Sequence, residues 1–190
     1  LSLIKHLARY LAKARPDDAE GGDDRWADLV IDLATLEWTI GEFFDGPGCE
    51  GQRLLDAEQL WAVQAARQPA VVLVPAACLR LLALRHPLRD YYSALRDERD
   101  VAPPERGDSF LALPRRDYVV RLHEMTRTQY VLLAALMEGD SLGRAVERIA
   151  AMADSDSEAL ASRLGEWFRE WAAAGFFRAA IDPEGTPPGC

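Results

Sequence analysis

The chain has 190 residues, 49% hydrophobic and 28% charged, which suits one large domain or two small ones and excludes wholesale disorder. Its formal charge of −9, from 22 basic and 31 acidic residues, disfavours a general phosphate-backbone binder, whose affinity comes from clustered Lys and Arg. No apolar run reaches the roughly 18–20 residues that span a bilayer, and no signal-peptide pattern opens the chain.

Leu3, Ile4, Leu7, Ala8 and Leu11 recur at helical spacing and predict a first helix that ends before Pro16. Asp17 to Asp24 holds five acids in eight residues with two Gly, the composition of a solvated loop. Asp23 or Asp24 can cap the next helix, where Trp26, Leu29, Val30, Leu33, Leu36, Ile40 and Phe43 form one broad apolar face. Asp45-Gly46-Pro47-Gly48 ends it. Asp56 followed by Gln59 has the form of a capping pair opening a short helix through Leu60, Trp61 and Val63, closed by Pro69.

The pattern then changes to strand. Val71 to Val74, cut by Pro75, and Cys78 to Leu84, broken by His86-Pro87, are short apolar runs. Leu88 to Arg99 is predicted helical, with Tyr91, Tyr92 and Leu95. Phe110–Leu113 and Tyr118–Glu124 are predicted as strands joined by Pro114-Arg115-Arg116-Asp117. In the second, Val119, Arg121 and His123 alternate with Tyr118, Val120 and Leu122, so one face is apolar and the other mostly polar. Three helices follow: Thr128–Met137, closed by Gly139; Leu142–Met152, capped by Ser141; and one opened by Ser157, bearing Leu160, Leu164, Trp167, Phe168 and Trp171 and closed by Gly175. Phe176–Ile181 is expected as a last strand.

The expected class is α+β, mostly α. A helical N-terminal part over residues 1–66 precedes a linker at 67–76. A winged-helix-like part with a small antiparallel sheet covers 77–181, and a Pro-containing tail covers 182–190. Charge follows this division: residues 1–70 carry a net −6 and residues 71–190 a net −3.

No catalytic template fits. His6, His86 and His123 form no H-x-x-x-H or H-x-x-E-H pair, and His123-Glu124 lacks the second His of a metalloprotease. Gly46, Gly48 and Gly51 spell a literal G-x-G-x-x-G. It follows a helix, however, and Asp45 and Glu50 would repel a phosphate, so it is read as a turn. Cys49, Cys78 and Cys190 suggest neither a disulfide framework nor a zinc site, and the cytoplasm is the expected location. Glu37, between Leu36 and Trp38, is either an edge acid or half of a buried ion pair with an Arg. The expectation is a protein that is not an enzyme, with no catalytic residues, metal or cofactor.

Several segments resemble a known family. Trp26-Ala27-Asp28-Leu29 through Leu33-Ala34-Thr35-Leu36-Glu37-Trp38 resembles the D-L-A-x-L-E-W helix of the HvfC/BufC-type proteins, which carry a DNA-binding-domain label. Leu79 to Pro87 is similar to that family's strand into an H-P turn, and Leu132 to Leu142 to its L-L-x-x-L-x-x-G-x-x-L segment. Trp167 to Phe177 fits its closing helix and strand. The likeness runs from about residue 20 to 181, and the family's first helices are expected to precede Leu1, leaving the N-terminal domain incomplete.

The resemblance implies a non-catalytic partner of an iron-dependent, TIM-barrel oxidase that modifies Cys in a short precursor peptide of ribosomal origin. The partner protein of methanobactin biosynthesis is a relative of this type. By analogy with winged-helix peptide-recognition modules, a leader peptide would add as a strand along Tyr118–His123, facing helix Ser157–Ala173. Arg115, Arg116, Tyr118, Val119, Arg121, His123 and Arg163 are the residues expected to bind peptide or partner. Arg115, Arg116 and Arg121 form a local basic cluster suited to an acidic leader. The alternatives are a structural scaffold or a DNA-binding transcriptional regulator. The last is disfavoured because the candidate groove-entering helix carries Glu158, Glu166 and Glu170 against Arg163 and Arg169.

Overall fold

A computed structural model describes residues 24–46, 48–56, 58–59, 68–152 and 157–182. The predicted first helix, most of the acidic loop, the stretch with Leu60, Trp61 and Val63, and nearly all of the tail lie outside the described residues. Helix α1, Asp24–Asp45, buries Leu29, Leu36 and Phe43 on the face the periodicity predicts. Two of its Thr hydroxyls donate one turn back, Thr35 to the Ile31 carbonyl at 2.7 Å and Thr39 to the Thr35 carbonyl at 2.8 Å.

A small antiparallel sheet and a second helix, α2 (Leu88–Arg96), belong with α1. The sheet consists of β2 (Leu79–Leu84), β3 (Ser109–Arg116), β4 (Val119–Val120) and β5 (His123–Met125). Strand β3 is central, with β2 along one side and β4 then β5 along the other. Arg115 faces Val120 in β4, and Ala112 faces His123 in β5. The two partners are separate strands because the break falls opposite Pro114, which has no N–H for the ladder. The Pro114 carbonyl is still used, accepting from the Arg121 N–H at 3.1 Å.

The hairpin connection is shorter than the sequence predicts. Strand β3 runs through Pro114, Arg115 and Arg116, and the turn is the pair Asp117-Tyr118, with φ of 52° and 61°. Positive φ at both central residues makes a two-residue turn whose twist matches the flanking strands. Leu29, Leu36, Leu84, Leu88, Leu111 and Leu113 form the core between α1, α2 and this sheet, with Tyr91 and Tyr92 packed against it.

The remaining elements make a separate compact unit. A 3-10 turn at Gln68–Ala70 leads into β1 (Val72–Pro75), which pairs with β6 (Phe177–Ile181) in the register Val72 to Ile181. Helices α3 (Arg127–Met137), α4 (Leu142–Ala150) and α5 (Ser157–Ala174) accompany them. Gly139 at φ 93° and Gly175 at φ 76° close α3 and α5 as predicted, each with a left-handed cap that feeds hydrogen bonds back to the last turn. Ser141 caps α4 and also bridges to Val72. The Asp56–Gln59 pair forms the expected reciprocal cap, at 2.7 and 3.3 Å. Trp171 centres an aromatic core, edge-on to Phe168 and stacked on Phe176.

The class is α+β, but the division along the chain differs from the expected one. One unit takes the chain up to Pro47 together with Arg80–Thr126; the other takes Gly48–Leu79 with Arg127 onward. The stretch expected as a linker at 67–76 includes β1, whose ladder partner lies over a hundred residues further on. The hairpin expected to join the three late helices packs instead with α1. The second unit therefore consists of α3, α4, α5 and β6 with a strand brought from upstream, and the hairpin expected in a winged-helix-like part is not in it.

Cys49 and Cys78, whose placing in the sequence suggested no disulfide framework, form a disulfide; both are buried. The turn after Pro47 and the turn before β2 bring their Cα atoms to 6.0 Å, within bridging range. Closing a 29-residue separation contributes about 3–4 kcal/mol in the chain-entropy account. Among the described residues no helix is long and apolar enough to cross a membrane.

Candidate functional site

Six of the seven residues singled out from the sequence lie on or beside the β3–β5 hairpin, and they divide into structural and exposed groups. Arg115 is 4% exposed. Its guanidinium Nη1 donates to the carbonyls of Phe43, Phe44 and Gly46, the last two at 3.0 and 2.9 Å. These carbonyls belong to the end of α1, where intrahelical donors run out and the dipole is negative. Arg115 thus clamps α1 to the sheet, and its expected place in a basic surface for the leader is corrected: its charge is spent on the helix end.

The Arg115 guanidinium sits 5.8 Å from the Tyr118 ring centroid, and Phe44, whose carbonyl it holds, has an exposed side chain. Tyr118 and Val119 are 66% and 51% exposed. Arg116 and Arg121 are exposed, and Arg116 approaches Asp117 at 3.7 Å. His123 is half-buried on β5 opposite Ala112. Among the described residues no strand pairs with the outer side of β4 and β5.

Arg163 belongs to α5 in the other unit, where its guanidinium stacks 5.0 Å over the Trp167 ring.

A second cluster escaped the sequence reading. Asp28 and Asp32 are 1% and 7% exposed on α1, one turn apart, while Glu37 is an exposed acid. Asp32 Oδ2 accepts from the Arg85 backbone N–H at 2.7 Å and meets His86 Nδ1 at 2.8 Å. That contact requires a proton on Nδ1, since a carboxylate only accepts. Asp28 is bound by the Arg85 guanidinium, and Arg106 approaches it at 3.5 Å. Buried carboxylates need such partners, because an unpaired one costs several kcal/mol. The available signal was the i, i+4 spacing of two acids along the apolar face and the adjacent Arg85-His86.

No protein-family model matches the chain, and no curated protein matches it. Among the described residues no three His, Cys, Asp or Glu side chains gather closely enough to hold a metal ion. The hairpin presents two strands with no further strand paired on their outer side among the described residues, together with the exposed Tyr118 ring and the exposed Arg116 and Arg121 side chains.

Proposed function

We propose that the chain is a non-catalytic adaptor that binds an iron-dependent, TIM-barrel peptide-modifying oxidase and its short Cys-bearing precursor, with the precursor's leader added as a strand along β4 and β5. The observation that carries the reading is that, among the described residues, no further strand pairs with the outer side of these strands, beside exposed Tyr118 and Val119. A peptide laid there gains main-chain hydrogen bonds, and its alternate side chains meet the exposed Tyr118 and Val119. Arg116 and Arg121 favour an acidic leader. The identity of the oxidase rests on the resemblance of the α1 and H-P segments to the HvfC/BufC-type proteins. A cytoplasmic location belongs to the same reading, and the Cys49–Cys78 disulfide weighs against it, since such bonds are rare in the cytosol.

Size-exclusion co-elution with the cognate oxidase tests the adaptor role, and leader titration tests the site. Arg121→Glu should weaken leader binding about tenfold, equivalent to about 1.4 kcal/mol, with the thermal midpoint nearly unchanged. Equal binding by both forms removes the β4–β5 edge from the site. Tight duplex DNA retention that collapses with added salt, in place of co-elution, would make the protein a DNA binder.

A further inference from the structure

A cleft of about 690 Å³ opens beside buried Asp28, Asp32 and His86, and none of its lining residues is one assigned to the leader. Its apolar walls are Trp26 and Leu29 of α1 and the pair Pro103-Pro104, and its polar lining is His86, Glu105 and Arg106. The loop carrying the prolines is tied down where the Gly107 N–H donates to the Arg85 carbonyl at 2.7 Å. The volume is that of an ordinary small-ligand site.

Two polar groups in this lining have unused capacity. His86 is 2% exposed, its Nδ1 is committed to Asp32, and among the described residues its Nε2 makes no hydrogen bond. In the neutral imidazole with its proton on Nδ1, Nε2 presents a lone pair and accepts from a ligand N–H or O–H. Arg106 has a half-exposed side chain whose Nη1 stands 3.5 Å from Asp28 Oδ2, the oxygen opposite the one Arg85 binds, which leaves its Nε and Nη2 outside that contact. Most of its planar fork is therefore available for a carboxylate. Glu105 on the same lining disfavours a second negative charge. Trp26, 56% exposed, offers a ring face for an apolar group.

We propose that this cleft binds an N-acylated apolar amino acid, the chemistry of a peptide's C-terminal residue: the carboxylate on Arg106, the amide N–H on His86 Nε2, and an aromatic side chain against Trp26 and the prolines. The site is independent of the strand-edge reading, and its occupant differs from an internal leader segment in requiring a free carboxylate.

The test is calorimetric titration of the full chain with N-acetyl-phenylalanine, with its C-terminal amide, and with a tetrapeptide ending in Phe. Saturable binding of the acid, at least tenfold weaker for the amide, is expected. The same loss should follow Arg106→Gln and Trp26→Leu, two partly exposed positions whose variants are checked for an unchanged fold by circular dichroism. Binding of the tetrapeptide as well identifies a peptide C-terminus as the source; binding of the acetylated amino acid alone identifies a small metabolite of the same chemistry. No saturable heat from any acid, equal binding of acid and amide, or full binding by folded Arg106→Gln would overturn the proposal. Leader binding at the hairpin is measured separately, so failure of one reading leaves the other standing.

Discussion

The two units are held together by different physics. Around α1 and β3, buried charge does part of the structural work: Arg115 closes the end of the helix, and Asp28 and Asp32 fasten its middle to Arg85 and His86. Around α5 and β6 the interior is aromatic, with Trp171 in contact with Phe168, Phe176 and Phe177, and a disulfide closes the loop between Cys49 and Cys78. Hydrophobic burial is non-directional, whereas a buried carboxylate accepts only from donors placed at its oxygens. The first unit therefore gains positional precision where the hairpin and the cleft lie. The second gains bulk stability.

The largest effect should come from the aromatic side. Trp171→Ala removes the ring shared by four others, Trp167 included, and should cost about 4 kcal/mol, as large-to-small core changes do. Denaturant unfolding followed by amide hydrogen exchange checks this, with protection lost first in α3–α5 and β6. Equal loss at α1 and β3 would break the comparison by making the two units one cooperative structure.

Next is the charge side. Asp32→Ala leaves His86 Nδ1 and the Arg85 N–H without their acceptor and should cost about 3 kcal/mol. Replacing both Asp32 and His86 with Leu should recover part of that loss, because the His86 half of the pair is removed with its partner while the Arg85 N–H stays without an acceptor. If the double variant is no better than the single one, the cluster stabilises by more than mutual satisfaction, and the contrast with the aromatic unit softens.

These two sites also show what could be read in advance. The α1 face, the Gly139 and Gly175 stops, the Ser141 cap and the Asp56–Gln59 pair were legible because each is encoded within a few residues. Arg115 was not. In sequence it is one of three similar Arg residues in the hairpin, and its burial depends on helix-end carbonyls about seventy residues upstream. The pairing of β1 with β6, the division into units and the Cys49–Cys78 bond are likewise choices of distant partners, on which local periodicity is silent. Asp28 and Asp32 interrupt an otherwise apolar face, and only the arrival of Arg85 and His86 makes that interruption stable.

The smallest expected effect separates stability from recognition at the hairpin itself. Tyr118 holds a φ of 61°, a conformation that disfavours a side chain, and it follows Asp117 in a turn where Asp-Gly is the preferred pair. A two-thirds exposed ring in that position is costly for folding and has little core to repay it. Tyr118→Gly should therefore raise stability slightly, by up to about 1 kcal/mol, since glycine meets no steric penalty there. The same change removes the ring over Arg115 and should weaken leader binding several-fold. A variant that is more stable and binds less well identifies Tyr118 as a residue retained for contact at the expense of the turn. A variant that binds equally well would leave only the main-chain edge of β4 and β5 to hold the peptide.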